Sequence, residues 1–390
     1  MSYYISSNNN RFYCGLESAY GVAPTPTSTN RFSAVKLTAR QELDLAPRRD
    51  KTGSRTFAGT PTGARKKTSF AIKSYMSTWI PGSPQPGYGP LVLAALGSSL
   101  PSTGGNLVAN VINNTQVAFS SPHGLNVNQA TSFNGEIRFV ANVVDSTNIV
   151  LNAPFSITPT SGAQLMPTIT YYPTAALPSV SIFDYWSPST ALQRVLVGAA
   201  IDNMSVIVNS DYHEFHFEGF AKDVVDSSSF SSGQGGMNAF PPEPAIADFD
   251  LNVVPGNLGQ AWIGSTAQQF QTVTSASVHI SNNLDTRVRE FGSSVPLAIC
   301  PGARTVTLDL ALFEKDDTAT ASLYQSARLR TPISIMLQLG QTQGQLFGIY
   351  LKSVIPELPE FDDSETRLQW KFGKSRAQGT VDDEIAVAFA

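Results

Sequence analysis

The chain carries one strand-rich unit twice, and no other feature narrows its fold as much. Gly63-Ala64-Arg65-Lys66-Lys67-Thr68 returns as Gly302-Ala303-Arg304-Thr305-Val306-Thr307. Upstream, Ser33-Ala34-Val35-Lys36-Leu37-Thr38 corresponds to Ala276-Ser277-Val278-His279-Ile280-Ser281. Downstream, His213-Glu214-Phe215-His216-Phe217-Glu218-Gly219 corresponds to Arg367-Leu368-Gln369-Trp370-Lys371-Phe372-Gly373. Three correspondences in one order point to a doubled unit suited to assembly.

Strand periodicity runs through both copies. Val306, Leu308, Leu310 and Leu312 alternate with Thr305, Thr307, Asp309 and Ala311, as Phe215 and Phe217 do with Glu214, His216 and Glu218. Period two marks a sheet with one buried face. Residues 32–45 also read as a strand, with Val35, Leu37 and Ala39 opposite Lys36, Thr38 and Arg40. Each unit has one short helix: Pro90–Leu96, ended at Gly97, and Asp317–Arg330, with Asp317 as cap. Short strand signals around the turns Pro122-His123-Gly124 and Asn134-Gly135 predict an inserted small β-sandwich.

The expected organisation is mostly β. A first unit covers 1–104 and 167–235, the insertion covers 105–166, and a second unit covers 236–390. Residues 1–31 are expected to be an arm that orders on contact, and the Ser/Gly run 227–236 a linker.

Only 14% of residues are charged, below the ~25% typical of soluble proteins. Such a surface suits subunit contacts, because charges are costly to desolvate at an interface core. Two cysteines, Cys14 and Cys300, make no disulfide framework. The first residues lack a secretory pattern, and the longest apolar run, Leu91–Leu96, is too short to span a bilayer. Nine of the basic residues lie between positions 40 and 73, while acids gather near the other end. The long connection with Arg48, Arg49, Lys51, Arg55, Arg65, Lys66 and Lys67 is a nucleic-acid contact, a docking element for an acidic surface, or a solvated loop. Few aromatics interleave with it, which weakens base stacking.

Chemistry is sparse. His213-Glu214-Phe215-His216 tempts a metal reading, but on a strand residues three apart face opposite ways. No zinc-helix motif, nucleophile elbow or phosphate loop occurs. No catalytic residue, metal ligand or cofactor is assigned.

The ordered set of Glu17-Ser18-Ala19-Tyr20-Gly21, Pro90–Gly97, Val278–Leu284, Phe291-Gly292, Pro301-Gly302-Ala303-Arg304 and Thr380–Ile385 resembles a tail tube protein of a long-tailed bacteriophage. That resemblance implies β-sandwich or barrel units, each with a helix, giving four strands apiece to a twenty-four-strand ring. It implies stacked rings forming a conduit for DNA ejection, in a virion tail made in the host cytoplasm. It also implies tape measure, tail-tip and terminator proteins as partners, and DNA in transit without sequence-specific binding. Two fused units imply three chains per ring; six chains is the alternative. The size of the insertion favours a tail without a sheath.

On this expectation the basic connection reaches an acidic surface of the next ring at Glu357, Glu360, Asp362, Asp363 and Glu365. Asp309, Thr305, Thr307, Glu214 and Glu218 are the candidates for the bore. A glycan-binding β-sandwich adhesin is a second reading, for which Tyr171-Tyr172 and Tyr185-Trp186 would supply exposed aromatics. An enzyme is a third.

Overall fold

The structure is a computed structural model describing residues 4–45, 50–57, 59, 64–79, 83, 85–245, 251–264, 268–286 and 290–390. Within these, the chain runs β1 (Asn10–Leu16), β2 (Arg31–Phe32), β3 (Ala34–Asp44), β4 (Arg65–Tyr75), α1 (Gly89–Leu96) and β5 (Gly97–Ser102). The insertion follows as β6 (Val108–Ile112), β7 (Gln116–Phe119), β8 (Ala130–Phe133), β9 (Glu136–Asp145) and β10 (Asn148–Leu151). Next come β11 (Thr168–Pro173), β12 (Val180–Trp186), β13 (Arg194–Val208), β14 (Glu214–Ala221) and β15 (Asp223–Asp226). The rest is β16 (Gly259–Ile263), β17 (Gln268–Phe270), β18 (Val273–Ser281), β19 (Thr305–Phe313), α2 (Thr318–Leu329), β20 (Ile333–Leu339), β21 (Phe347–Ile355), β22 (Glu360–Asp362), β23 (Gln369–Ala377) and β24 (Ala386–Phe389). The protein is mostly β, with a large antiparallel sheet and a curled five-strand half barrel.

One long ribbon organises the large sheet. Strand neighbours in it are β3, β4, β14, β13, β18, β19 and β23. An eighth position is filled by the 354–362 segment, where the end of β21 and then β22 pair with β23. The repeated sequences fall on equivalent strands. The order β3-β4-α1-β13-β14 matches β18-β19-α2-β21-β23, and both first hairpins enclose long connections, 45–64 and 282–304.

Alternation explains which face is buried. Phe70 and Ile72 of β4, Phe215 and Phe217 of β14, Val278 and Ile280 of β18, and Leu308 and Leu310 of β19 all point inward. They meet a second layer ordered β5-β11-β24-β21-β20-β16-β17. Phe347 stands between the layers, its ring centroid 5.0 Å from Phe215 and 4.9 Å from Phe389. Helix α1 is apolar all round and lies in this core, as such helices do. Helix α2 is amphipathic, buries Leu323 and Ala327, and is capped by Asp317, whose carboxylate accepts from Thr320 N at 2.8 Å.

Three sequence expectations need correction. Residues 10–16 are not part of a free arm. β1 pairs along its whole length with β12, and Tyr13 and Cys14 are fully buried. The 227–236 run is not a linker either: Phe230 packs beside Phe240, and Gly235 O accepts from Ala23 N at 2.8 Å. Glu243, further on, is bound by Arg11 and by the Tyr13 hydroxyl at 3.1 Å. The insertion is one curled sheet, ordered β6-β7-β10-β9-β8, rather than a sandwich of two. It has its own core around Phe119, Val140, Ile149 and Leu165. Arg138 joins it to the main body, with bonds to Gln260 at 2.9 Å and Gln338 at 3.1 Å and its guanidinium over the Trp262 ring.

Candidate functional surfaces

The outward face of the ribbon is assembled by register. One row crosses seven strands as Lys36, Lys73, His216, Ser205, His279, Thr307 and Arg376. The next row holds Thr38, Ala71, Glu218, Asn203, Ser281 and Thr305. On the other side of the first lies Tyr75, Glu214, Ile207, Ser277 and Asp309. The five residues expected together, Asp309, Thr305, Thr307, Glu214 and Glu218, therefore share one continuous polar face.

Charge on this face is largely paired. Lys73 Nζ lies 2.8 Å from Glu214, which also accepts from His216 at 3.0 Å. Partial burial works against the Glu214 carboxylate, yet hydrogen bonds from Lys73 and His216 hold its pKa below the usual value. Asp309 Oδ2 is 3.3 Å from His279 Nε2, and its other oxygen accepts from Lys374 N at 2.5 Å. Glu218 is the exposed acid of the set. Lys36 and Arg376 add positive charge at the two flanks, so acidity is confined to the centre.

Ser205 Oγ lies 2.8 Å from His279 Nδ1, completing a serine–histidine–aspartate chain across β13, β18 and β19. No spacing in the chain signals it, because the three residues meet only through strand pairing. An acyl-transfer nucleophile needs free donors aimed at a developing oxyanion. Here the serine stands on an open pleat between two paired strands, where backbone N–H groups are spent in the ladder.

The ribbon's two borders differ. Among the described residues β3 pairs only with β4, leaving an eleven-residue edge of balanced charge. It carries Lys36, Arg40, Glu42 and Asp44, with Arg40 3.1 Å from Glu42 and with Val35 and Leu43 exposed. The opposite border, 354–362, carries Glu357, Glu360 and Asp362 with exposed Leu358 and Phe361. Asp362 is bound by Lys371 at 2.5 Å, a bond that with those from Ser364 holds its carboxyl well below the usual range. Glu357 lies 3.5 Å from Arg330. Asp363 and Glu365 are exposed just beyond β22.

The basic connection divides into committed and uncommitted cations. Lys66 binds Asp223 at 2.9 Å, and Lys67 lies over the Phe220 ring. Lys51, Arg55 and Arg65 are exposed, while Arg48 and Arg49 lie outside the described residues. Arg304, the second-copy counterpart of Arg65, is a structural residue, 3.1 Å from Asp382 and 2.9 Å from Glu384. The aromatics proposed for a glycan surface do not form one, since Tyr171 and Tyr185 are buried. Among the described residues no helix is long and apolar enough to cross a membrane.

No family profile matches the chain, and no curated protein is similar to it in sequence.

Proposed function

We propose that the chain is a tail tube subunit, joining edge to edge into closed rings that stack head to tail into a hollow virion conduit. The observation that carries this reading is an eight-strand ribbon with two unmatched borders, a long edge of balanced charge on one side and an acidic segment on the other. An exposed edge strand is a template for pairing with another chain. β3 against the acidic border of a second copy sets Lys36 and Arg40 against Glu357 and Glu360, and lets Val35 approach Leu358.

The count follows from the repeat. Both four-strand sets lie in one ribbon, which supports three copies rather than six around a twenty-four-strand wall. At a strand spacing of ~4.8 Å and a tilt of ~40°, such a wall closes at a backbone diameter of roughly 48 Å, wide enough for a water-filled bore. The outward face then lines the channel, with Thr305, Thr307, Asp309, Glu214 and Glu218 on its wall. Paired charges and hydroxyls suit DNA in transit, because each unpaired cation set against a phosphate adds affinity through counterion release.

The basic connection leaves the ribbon beside Asp44 and Arg65, whereas β22 lies at the other end, beside Phe313 and Gln369. Head-to-tail stacking brings Lys51 and Arg55 of one ring toward Glu360, Asp362, Asp363 and Glu365 of the next. The tape measure, tip and terminator proteins expected from the resemblance would meet the ends of the stack. Negative-stain electron microscopy of the purified chain tests the reading. Rings or stacked rings with a central channel are expected; uniform compact particles at all concentrations would overturn it.

A further inference from the structure

A groove of about 670 Å³ opens between α2 and the ends of β19, β22 and β23. Its floor is an aromatic trio: Tyr324 lies 5.3 Å from Trp370 and 6.2 Å from Phe361, and Phe361 lies 5.5 Å from Trp370. Phe361 is 56% exposed, an unusual state for a ring with two aromatic neighbours. The buried indole N–H of Trp370 has no acceptor. Glu314, Asp316 and Asp317 form the lip, and Lys315 reaches Asp317 at 3.8 Å. Aromatic faces beneath an acidic lip make a receptor for cations on an extended segment.

We propose that this groove is the socket for residues 50–57 of a second copy, Asp50-Lys51-Thr52-Gly53-Ser54-Arg55-Thr56-Phe57. The segment offers what the groove lacks. Lys51 and Arg55 are exposed cations for the lip, and Phe57 is 79% exposed and available to the aromatic trio. A chain does not fill its own socket, because the 45–64 connection leaves the ribbon at one end and the groove lies at the other. The middle of a connection of this length reaches up to ~30 Å from its ends, enough to enter the next ring. The proposal rests on head-to-tail stacking and names the contact that drives it.

Two measurements test it. First, a synthetic peptide of residues 50–57 is titrated calorimetrically into the full chain carrying K51A/R55A, whose own segment lacks the two cations and leaves the socket open, and into the same chain with E314K/D316K added. Saturable binding that weakens at least tenfold in the variant is expected; no binding at millimolar peptide, or equal binding to both, overturns the socket. Second, K51E/R55E should leave the ring mass unchanged and abolish stacking, and adding E314K/D316K to it should restore stacking. Normal stacks from K51E/R55E alone overturn the socket. Peptide binding by a chain that never forms rings would sink the ring reading and leave the socket standing.

Discussion

Arg65 and Arg304 hold the same place in the repeated Gly-Ala-Arg sequence, yet only one is built into the fold. Arg304 is mostly buried among Asp382, Glu384 and Thr174 O, whereas Arg65 is exposed. Arg304→Ala should lower stability by about 2 kcal/mol, because it strands two carboxylates and a carbonyl. Arg65→Ala should stay within about 0.5 kcal/mol; urea unfolding of both variants checks the contrast. The Lys73–Glu214 pair gives a pH-dependent test. The folded pKa of Glu214 lies below its ordinary 4.5. Its contribution is therefore present above that value and lost as pH falls through the folded one. Lys73→Met should cost about 1 kcal/mol near neutrality, discounted for the exposure of the lysine, and the gap from the parent should shrink below pH 4.5. Melting temperatures of both proteins across that range would show it. At this scale the alternation of Glu214, Glu218, Thr305, Thr307 and Asp309 was legible, because burial follows period two. Their partners were not: His279 meets Asp309 only diagonally across the β18–β19 pair, where its own register partner is Thr307.

β1 and the glycine-rich turn show why some elements escaped a reading by pattern. Arg11-Phe12-Tyr13-Cys14 is buried on both faces, so it lacks the alternation that marks a half-buried strand, and polar neighbours mask it. Gly235 and Gly236 have positive φ, and a Cβ there would press on Val197 and Val22 at under 3 Å, so these glycines serve close packing rather than flexibility. An inserted strand module was legible from its turns, but it read as a sandwich, because the curling of one sheet is a long-range property that no local pattern reports. Its attachment makes a clean prediction at this scale. Ser102 of β5 is paired with Thr168 of β11, so the insertion enters and leaves through neighbouring residues. Replacing 103–167 by Asn-Gly should close a β5–β11 hairpin and preserve the main sheet. It will uncover Trp262, Met336 and Tyr350, so added polar substitutions there should restore solubility. Circular dichroism and ring formation of the excised protein are the readouts, and loss of all cooperative unfolding would refute independence of the two sheets.

The whole molecule is a two-layer β body whose ribbon ends in two borders with different side chains. The three short correspondences fall on strands with matching neighbours; that these strands lie in one ribbon was not legible, because that depends on β13 pairing with β18. Pro356 and Pro359 remove ladder donors from the acidic border, so Leu358 and the carboxylates must carry much of the selectivity there. Lys36→Glu with Arg40→Glu should therefore prevent ring closure without unfolding the chain, as read by size-exclusion chromatography alongside thermal melting.

Cysteine cross-linking between the borders tests the central claim most directly. Thr38 or Arg40 on β3 is paired in turn with Leu358 or Glu360, each double-cysteine variant carrying Cys300→Ser to remove the exposed native thiol. Disulfide bonds require Cα atoms within about 7 Å, so oxidation will succeed only where the two edges lie side by side. The account predicts a covalent ladder on a non-reducing gel that stops at three chains for at least one pair. Chains that stay single for every pair, or a ladder that stops at another number, would contradict it.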